Sequence, residues 1–211
     1  MIPQQCIDFI ITEETGGQAY YTKFACHPVW PGGASGITIG VGYDLGQNTL
    51  ADLKATWGDL LDAATIQQLG TAVGIVGSPA NQAKLQALVA QLKGITIPFA
   101  DVVQVFTTKS LPVYEAKTLA AFPGLDKLNG LCIGAMVSLV YNRGTVLTGP
   151  TRTEMQAIRD LIAQGKPEGV PAQFTSMKRL WPNAPGLQKR RDAESQMFQQ
   201  GLNAMAAAPV A

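Results

Sequence analysis

Strand-forming character in this chain is confined to one early stretch, and that limits the folds open to it more than any other feature. From Tyr20 to Leu45, aromatic and β-branched residues sit around turn-forming glycines. Elsewhere the apolar residues recur at helical spacing: Leu50, Leu53, Trp57, Leu60 and Leu61; then Leu85, Leu88, Val89 and Leu92; then Phe99, Val102, Val103 and Phe106; and, more loosely, Met155, Ile158, Leu161 and Ile162. Gly and Pro punctuate between these faces, at Gly77-Ser78-Pro79, Ile97-Pro98, Phe122-Pro123-Gly124, Thr148-Gly149-Pro150 and Pro182 to Gly186. Strands gathered in one segment with helices after it predict an α+β fold. It is mostly helical, with a small β-hairpin or sheet lobe over about 18–46 flanking a cleft and a helical lobe formed by the rest. At 211 residues, 46% of them hydrophobic, the chain can bury the core of a single domain spanning 1–203. The Ala/Pro-rich tail at 204–211 is expected to be flexible.

Charge and cysteine usage exclude several classes. Sixteen Lys and Arg against 15 Asp and Glu leave almost no net charge, so no nucleic-acid partner is expected. Lys178, Arg179, Lys189, Arg190 and Arg191 cluster near the C-terminus, which reads as a solvated helix face or as a patch for an anionic polymer. Cys6, Cys26 and Cys132 are far apart and lack CxxC spacing, so they are no disulfide framework, although one bridge is compatible with them. The lone histidine, His27, leaves too few ligands for a structural zinc, and no metal or organic cofactor is expected. Met1-Ile2-Pro3-Gln4-Gln5 lacks the basic and apolar regions of a signal peptide. The longest nearly apolar run, Leu131 to Tyr141, falls short of the roughly 20 residues that span a bilayer. It reads as a buried core helix, and no membrane insertion is expected.

Two carboxylates stand out. Ile7, Ile10 and Ile11 line one face of an N-terminal helix, and Glu14 is the next position on that face, with Gly16-Gly17 as a stop signal. Burial and the negative end of the helix dipole both disfavour an ionised carboxyl there, as a proton donor requires. The competing expectation is an exposed acidic pair, Glu13-Glu14, at a fraying helix end. Thr38 and Asp44 would lie some 20 Å apart along one straight strand. A tight turn at Gly40-Val41-Gly42 instead makes them cross-strand neighbours within roughly 5 Å. Thr38 then holds a water that Asp44 activates, or Asp44 stabilises positive charge on a sugar; an ordinary hairpin with a structural aspartate is the alternative. Two carboxyl groups facing each other across a cleft are the minimum equipment for cutting a glycosidic bond.

Glu14, the pair Tyr20-Tyr21, and Gly36-Ile37-Thr38-Ile39-Gly40-Val41-Gly42 together resemble the phage-type lysozymes, whose signature is Glu, a nearby Tyr, then T-I-G-x-G. Val137-Ser138-Leu139-Val140-Tyr141-Asn142-Arg143-Gly144 is similar to that family's buried helix ending in Asn. Gly186-Leu187-Gln188-Lys189-Arg190-Arg191-Asp192-Ala193-Glu194 with Phe198 is similar to its C-terminal helix. Phage-type lysozymes carry their catalytic Asp nine residues after the Glu, where this chain has Lys23. The pesticin-like muramidases carry it six residues after the Thr, which Thr38 and Asp44 match.

The resemblance implies a lysozyme-like fold and hydrolysis of the β-1,4 bond between N-acetylmuramic acid and N-acetylglucosamine in peptidoglycan. Glu14 would be the general acid, Asp44 the second carboxylate, Thr38 the water-positioning residue, and Arg190 the partner of the catalytic Glu. Tyr20, Tyr21 and Trp30 are candidates for stacking on sugar rings, and Asn142 and Arg143 for lining the cleft. Arg152 and Glu154 are expected to begin a surface helix. The partner would be a peptidoglycan glycan strand. The protein would be made in the cytoplasm and act in the periplasm or on the wall after release, injection or secretion, which brings in a holin, a secretion system or an immunity protein. A non-catalytic wall-binding module of the same fold is the first alternative. A cysteine peptidase or amidase built on Cys26 and His27 is the second, although strand neighbours point to opposite faces.

Overall fold

The structure is a computed structural model describing residues 2–207. It is mostly helical, with one two-stranded antiparallel sheet. Helix α1 (Gln4–Thr15) is followed by the short α2 (Gln18–Tyr20), which runs into a π-helical turn at Tyr21–Ala25. Strands β1 (Thr38–Ile39) and β2 (Tyr43–Asp44) come next, then a 3-10 turn at Leu45–Gln47. Helices α3 (Leu50–Trp57), α4 (Ala63–Gly70), α5 (Gln82–Leu92), α6 (Phe99–Val105) and α7 (Leu111–Ala121) follow. The chain continues through α8 (Gly130–Arg143), α9 (Thr153–Ala163), α10 (Val170–Ser176) and the long α11 (Pro185–Ala207). No helix among the described residues is long and apolar enough to cross a membrane.

The chain divides into two compact units, Ile11–Ser110 and a second formed by the residues up to Ile10 with those from Leu111 onward. The hairpin shares its unit with α3 to α6. Helix α11 carries residues 204–207 of the expected tail in regular helix, and 208–211 lie outside the described residues.

Within Ile11–Ser110, the hairpin tip packs on α3. A Cβ at Gly40 would sit 2.9 Å from the Trp57 ring, and Tyr43 meets that indole edge-on at 5.9 Å. Helix α3 starts with a capping box in which Thr49 accepts from the Asp52 N–H and Asp52 accepts from the Thr49 N–H. The segment from Tyr20 to Ala25 is helical rather than extended. Spacing explains it: Tyr20 and Phe24, at i and i+4, stack their rings 5.0 Å apart on the outer face, while Tyr21 turns inward against Phe99 at 5.5 Å.

In the other unit, α8 is the buried helix that its apolar run predicts, with every residue from Gly134 to Val140 buried. Helices α9, α10 and α11 contribute with it to a core that includes Phe122, Met136, Leu139, Phe174 and Phe198. Gly201 of α11 faces Cys132 of α8, whose Sγ and backbone N would lie 2.5 and 2.9 Å from an added Cβ, so only glycine permits this approach. The charges of α11 are a correction to the solvated-face expectation. Arg190, Arg191 and Glu194 are all buried, and Glu194 Oε1 accepts from Ser138 Oγ at 2.6 Å, Arg191 Nη2 at 2.8 Å and Arg190 Nε at 3.3 Å.

Glu154 also departs from expectation, because it is buried at the start of α9 rather than on a surface. Arg179 grips both its oxygens, at 2.5 and 3.1 Å. Burial raises the Glu154 carboxyl, but the hydrogen bond and charge of Arg179 outweigh it and hold the group below its ordinary value of 4.5. A carboxylate depressed in the folded state contributes stability above its unfolded pKa, lost as pH falls through the folded one. Unfolding temperature is therefore expected to fall more steeply below about pH 4.5 in the native protein than in Glu154→Gln. Parallel slopes in thermal melts from pH 6 down to about pH 3 would count against this assignment.

Candidate functional site

The hairpin supplies the best-defined part of the site. Gly40 and Gly42 adopt positive φ (59° and 69°), the left-handed conformation that lets three residues reverse the chain. The resulting register pairs Thr38 with Asp44 and Ile39 with Tyr43. Thr38 exchanges both of its backbone hydrogen bonds with Val29, at 2.7 and 3.1 Å. Thr38 and Asp44 are thus a non-hydrogen-bonded pair, the closer kind, with Cα atoms roughly 4.5 Å apart and side chains on one face.

The Asp44 carboxylate is held by the backbone. Oδ1 accepts from the Gly46 N–H at 2.8 Å and the Gly36 N–H at 3.0 Å, and Oδ2 from the Gly36 N–H at 3.1 Å. An added Cβ at Gly36 would fall 2.5 Å from Oδ1 and 2.6 Å from Gly46 backbone atoms, so this clamp needs glycine. Oδ1 takes two donors while Oδ2 shares one, leaving Oδ2 the larger capacity to accept a further proton donor. The Thr38 hydroxyl reaches only the Gly36 carbonyl, at a marginal 3.5 Å. Half-buried, it retains donor and acceptor capacity on the face it shares with Asp44.

Glu14 lies in the last turn of α1, which Gly16 and Gly17 end with φ of 74° and 84°. It is half-buried, whereas Glu13 is exposed, as the Ile10–Ile11 face predicts. Glu14, Thr38 and Asp44 fall in the same compact unit.

The aromatic candidates separate by exposure. Tyr20 is 54% exposed and Phe24 57%, beside an open hollow of about 510 Å³ lined by Gln18, Ala19, Thr22 and Lys23. Tyr21 is only 1% exposed and its hydroxyl donates to the Ile97 carbonyl at 3.2 Å, so it belongs to the core and not to a sugar-binding face. Burial pushes that hydroxyl's pKa well up. Trp30 is half-buried and spends its indole N–H on the Ser35 carbonyl at 2.8 Å. Lys23, at the phage-type aspartate position, lays its ammonium 5.0 Å over the Phe24 ring. Phe24 has a signal in the sequence, its i+4 spacing from Tyr20; the Gly36 and Gly46 N–H clamp has none in residue type.

Arg190, Asn142 and Arg143 belong to the other unit. Arg190 is buried, with Nη2 donating to the Ser138 carbonyl at 3.1 Å and Nε shared between Ser138 and Glu194 at 3.3 Å. Asn142 is exposed at the end of α8. Arg143 donates to the Thr151 carbonyl at 2.5 Å and lies over Trp181, 4.7 Å from its centroid.

The thiol chemistry is unfavourable to a cysteine hydrolase. Burial pushes Cys6 and Cys132 up to about 11, so both are protonated at neutral pH. Cys26 donates to the Thr22 carbonyl at 3.2 Å, and His27 Nδ1 is engaged by the Ile95 carbonyl at 2.8 Å. Among the described residues, no three His, Cys, Asp or Glu side chains are grouped to hold a metal. A hollow of about 610 Å³ lined mainly by apolar residues of α3 and α4, Leu50, Leu61 and Ile66 among them, contains none of the candidate residues.

No protein-family model matches the chain and no curated protein sequence matches it, so the motifs and the geometry carry the functional reading alone.

Proposed function

We propose that the chain is a muramidase with a lysozyme-like fold, related to the pesticin-like branch, cleaving the β-1,4 bond between N-acetylmuramic acid and N-acetylglucosamine. The observation that carries this reading is the Thr38–Asp44 register, which sets a hydroxyl beside an oriented carboxylate in the unit that also holds Glu14. In the reaction, Glu14 gives its proton to the leaving glycosidic oxygen as the C1–O bond breaks. Thr38 positions the water whose oxygen bonds to C1, and Asp44 takes that water's proton through Oδ2 or stabilises the oxocarbenium charge. Tyr20 and Phe24 offer a stacking face for the glycan, and Gln18 and Thr22 beside them offer polar partners for its hydroxyls. The substrate lies outside the cytoplasm, so the protein would reach it by release, injection or secretion.

One observation favours a second reading, a wall-binding module without catalysis: the Asp44 carboxylate also serves as a structural cap for the turn that follows β2. Asp44→Asn separates the two. The amide oxygen keeps the Gly36 and Gly46 hydrogen bonds while the charge is lost. The catalytic reading expects release of new reducing ends from purified peptidoglycan to fall on the order of 100-fold or more with the unfolding temperature nearly unchanged. Undiminished release by the variant, or none from the native protein, would move Asp44 to the structural role.

A further inference from the structure

Each arm of the Asp44 clamp is a peptide group, and a peptide is a rigid plane with its N–H and C=O on opposite edges. The Gly36 N–H, which donates to both Asp44 oxygens, shares its plane with the Ser35 carbonyl. The Gly46 N–H, which donates to Oδ1, shares its plane with the Leu45 carbonyl. Whatever holds those two carbonyls therefore aims the two N–H groups at the carboxylate. The Ser35 carbonyl accepts from Trp30 Nε1 at 2.8 Å and from the Gly77 N–H at 3.1 Å. The Leu45 carbonyl accepts from the Gly74 N–H at 3.1 Å and from the Asn48 N–H at 3.3 Å.

One short segment, 74–77, thus backs both arms, and all of these residues lie in the unit Ile11–Ser110. The fit is close: an added Cβ at Gly77 would run into the Gly33 carbonyl, and one at Gly46 would sit 2.5 Å from the Ile75 carbonyl. Of the four donors behind the clamp, the Trp30 indole N–H is the side-chain one, and the rest are backbone. A donor on a peptide carbonyl fixes the plane and also polarises it, so that the N–H on the far edge binds its own acceptor more firmly. Here that acceptor is a carboxylate touched on both oxygens, which restrains its rotation about Cβ–Cγ.

We propose that Trp30 is a positioning residue for Asp44, acting through the Ser35–Gly36 peptide, with the 74–77 segment as its backbone support. The consequence for catalysis rests on the muramidase reading, in which Asp44 Oδ2 is the oxygen that meets the water. A carboxylate free to rotate would present that oxygen to the water only part of the time. Trp30 thereby acts on the reaction without touching the glycan.

The test is Trp30→Phe in the whole protein, which keeps an aromatic ring and removes the N–H. By nuclear magnetic resonance, the Gly36 amide proton should move upfield and exchange with deuterium about three- to tenfold faster, the size of one lost hydrogen bond. The Thr38 amide, bonded to the Val29 carbonyl at 2.7 Å, should stay as it was and reports that the hairpin is intact. On peptidoglycan, kcat should fall about three- to tenfold with KM unchanged. A raised KM at constant kcat would overturn the proposal and return Trp30 to stacking on sugar, and so would a Gly36 amide that does not respond. The native protein offers a measurement that needs no variant, the couplings transmitted across hydrogen bonds. They should link Trp30 Nε1 to the Ser35 carbonyl carbon and the Gly36 nitrogen to the Asp44 carboxyl carbon, and absence of either would overturn the proposal. The amide readouts need no bond cleavage. A failure of the muramidase reading therefore appears separately, as a native protein that releases no reducing ends while its Gly36 amide still answers to Trp30→Phe.

Discussion

Glu14→Gln should reduce the release of reducing ends from purified peptidoglycan by about 10²- to 10⁴-fold, the range for loss of a positioned general acid. Glutamine matches the shape of glutamate and keeps a hydrogen-bonding head, so α1 should still end at Gly16 and Gly17 and the apolar contacts of Ile10 and Ile11 should persist. What the amide cannot do is deliver a proton to a departing sugar oxygen. The loss should therefore appear in kcat with KM little changed, because the interaction removed is made only in the transition state. Glu13→Gln is the internal control, since Glu13 is exposed one position away and turned off that face. Equal losses from both variants, or none from either, would remove Glu14 from the chemistry.

The largest effect on stability is expected from Glu194→Ala. Glu194 Oε1 is the common acceptor for Ser138, Arg191 and Arg190, and the three charged side chains are buried. Truncation leaves two buried guanidiniums without their shared carboxylate. Breaking a buried ion pair from one side costs about 3–5 kcal/mol. Glu194→Gln should be milder, because an amide oxygen can still accept from Ser138 and one arginine. Urea unfolding followed by circular dichroism measures both. A cost below about 1 kcal/mol for the alanine variant would mean that this network stabilises the fold no more than a surface pair does.

The hairpin and the charged network show what a linear reading can and cannot reach. Gly40 and Gly42 are enough to pair Thr38 with Asp44, because a turn is a local event and positive φ is the property that glycine supplies. The helical faces around Trp57, Leu88 and Phe106 were legible for the same reason, since period 3.6 is written in neighbouring residues. Arg190 and Arg191 were legible as a motif but not as core residues. Their burial depends on Ser138, 52 residues before Arg190, and charge composition gives no hint of a partner so distant. Tyr21 failed in the same way: its adjacency to Tyr20 suggested a shared role, but its hydroxyl is committed 76 residues onward, at Ile97. The strand-like chemistry of residues 20–24 was misleading because aromatic and β-branched residues also satisfy an i, i+4 helical face.

The three cysteines have a consequence for where such a protein can operate. Cys6, Cys26 and Cys132 are free, and each lies inside the fold. No cross-link has to be formed for the chain to reach its native state, and none is there to be severed. Folding should proceed equally well with or without a reductant, and transfer from a reducing to an oxidising medium should leave its stability as it was. A fold of this build is indifferent to the redox potential of the medium around it.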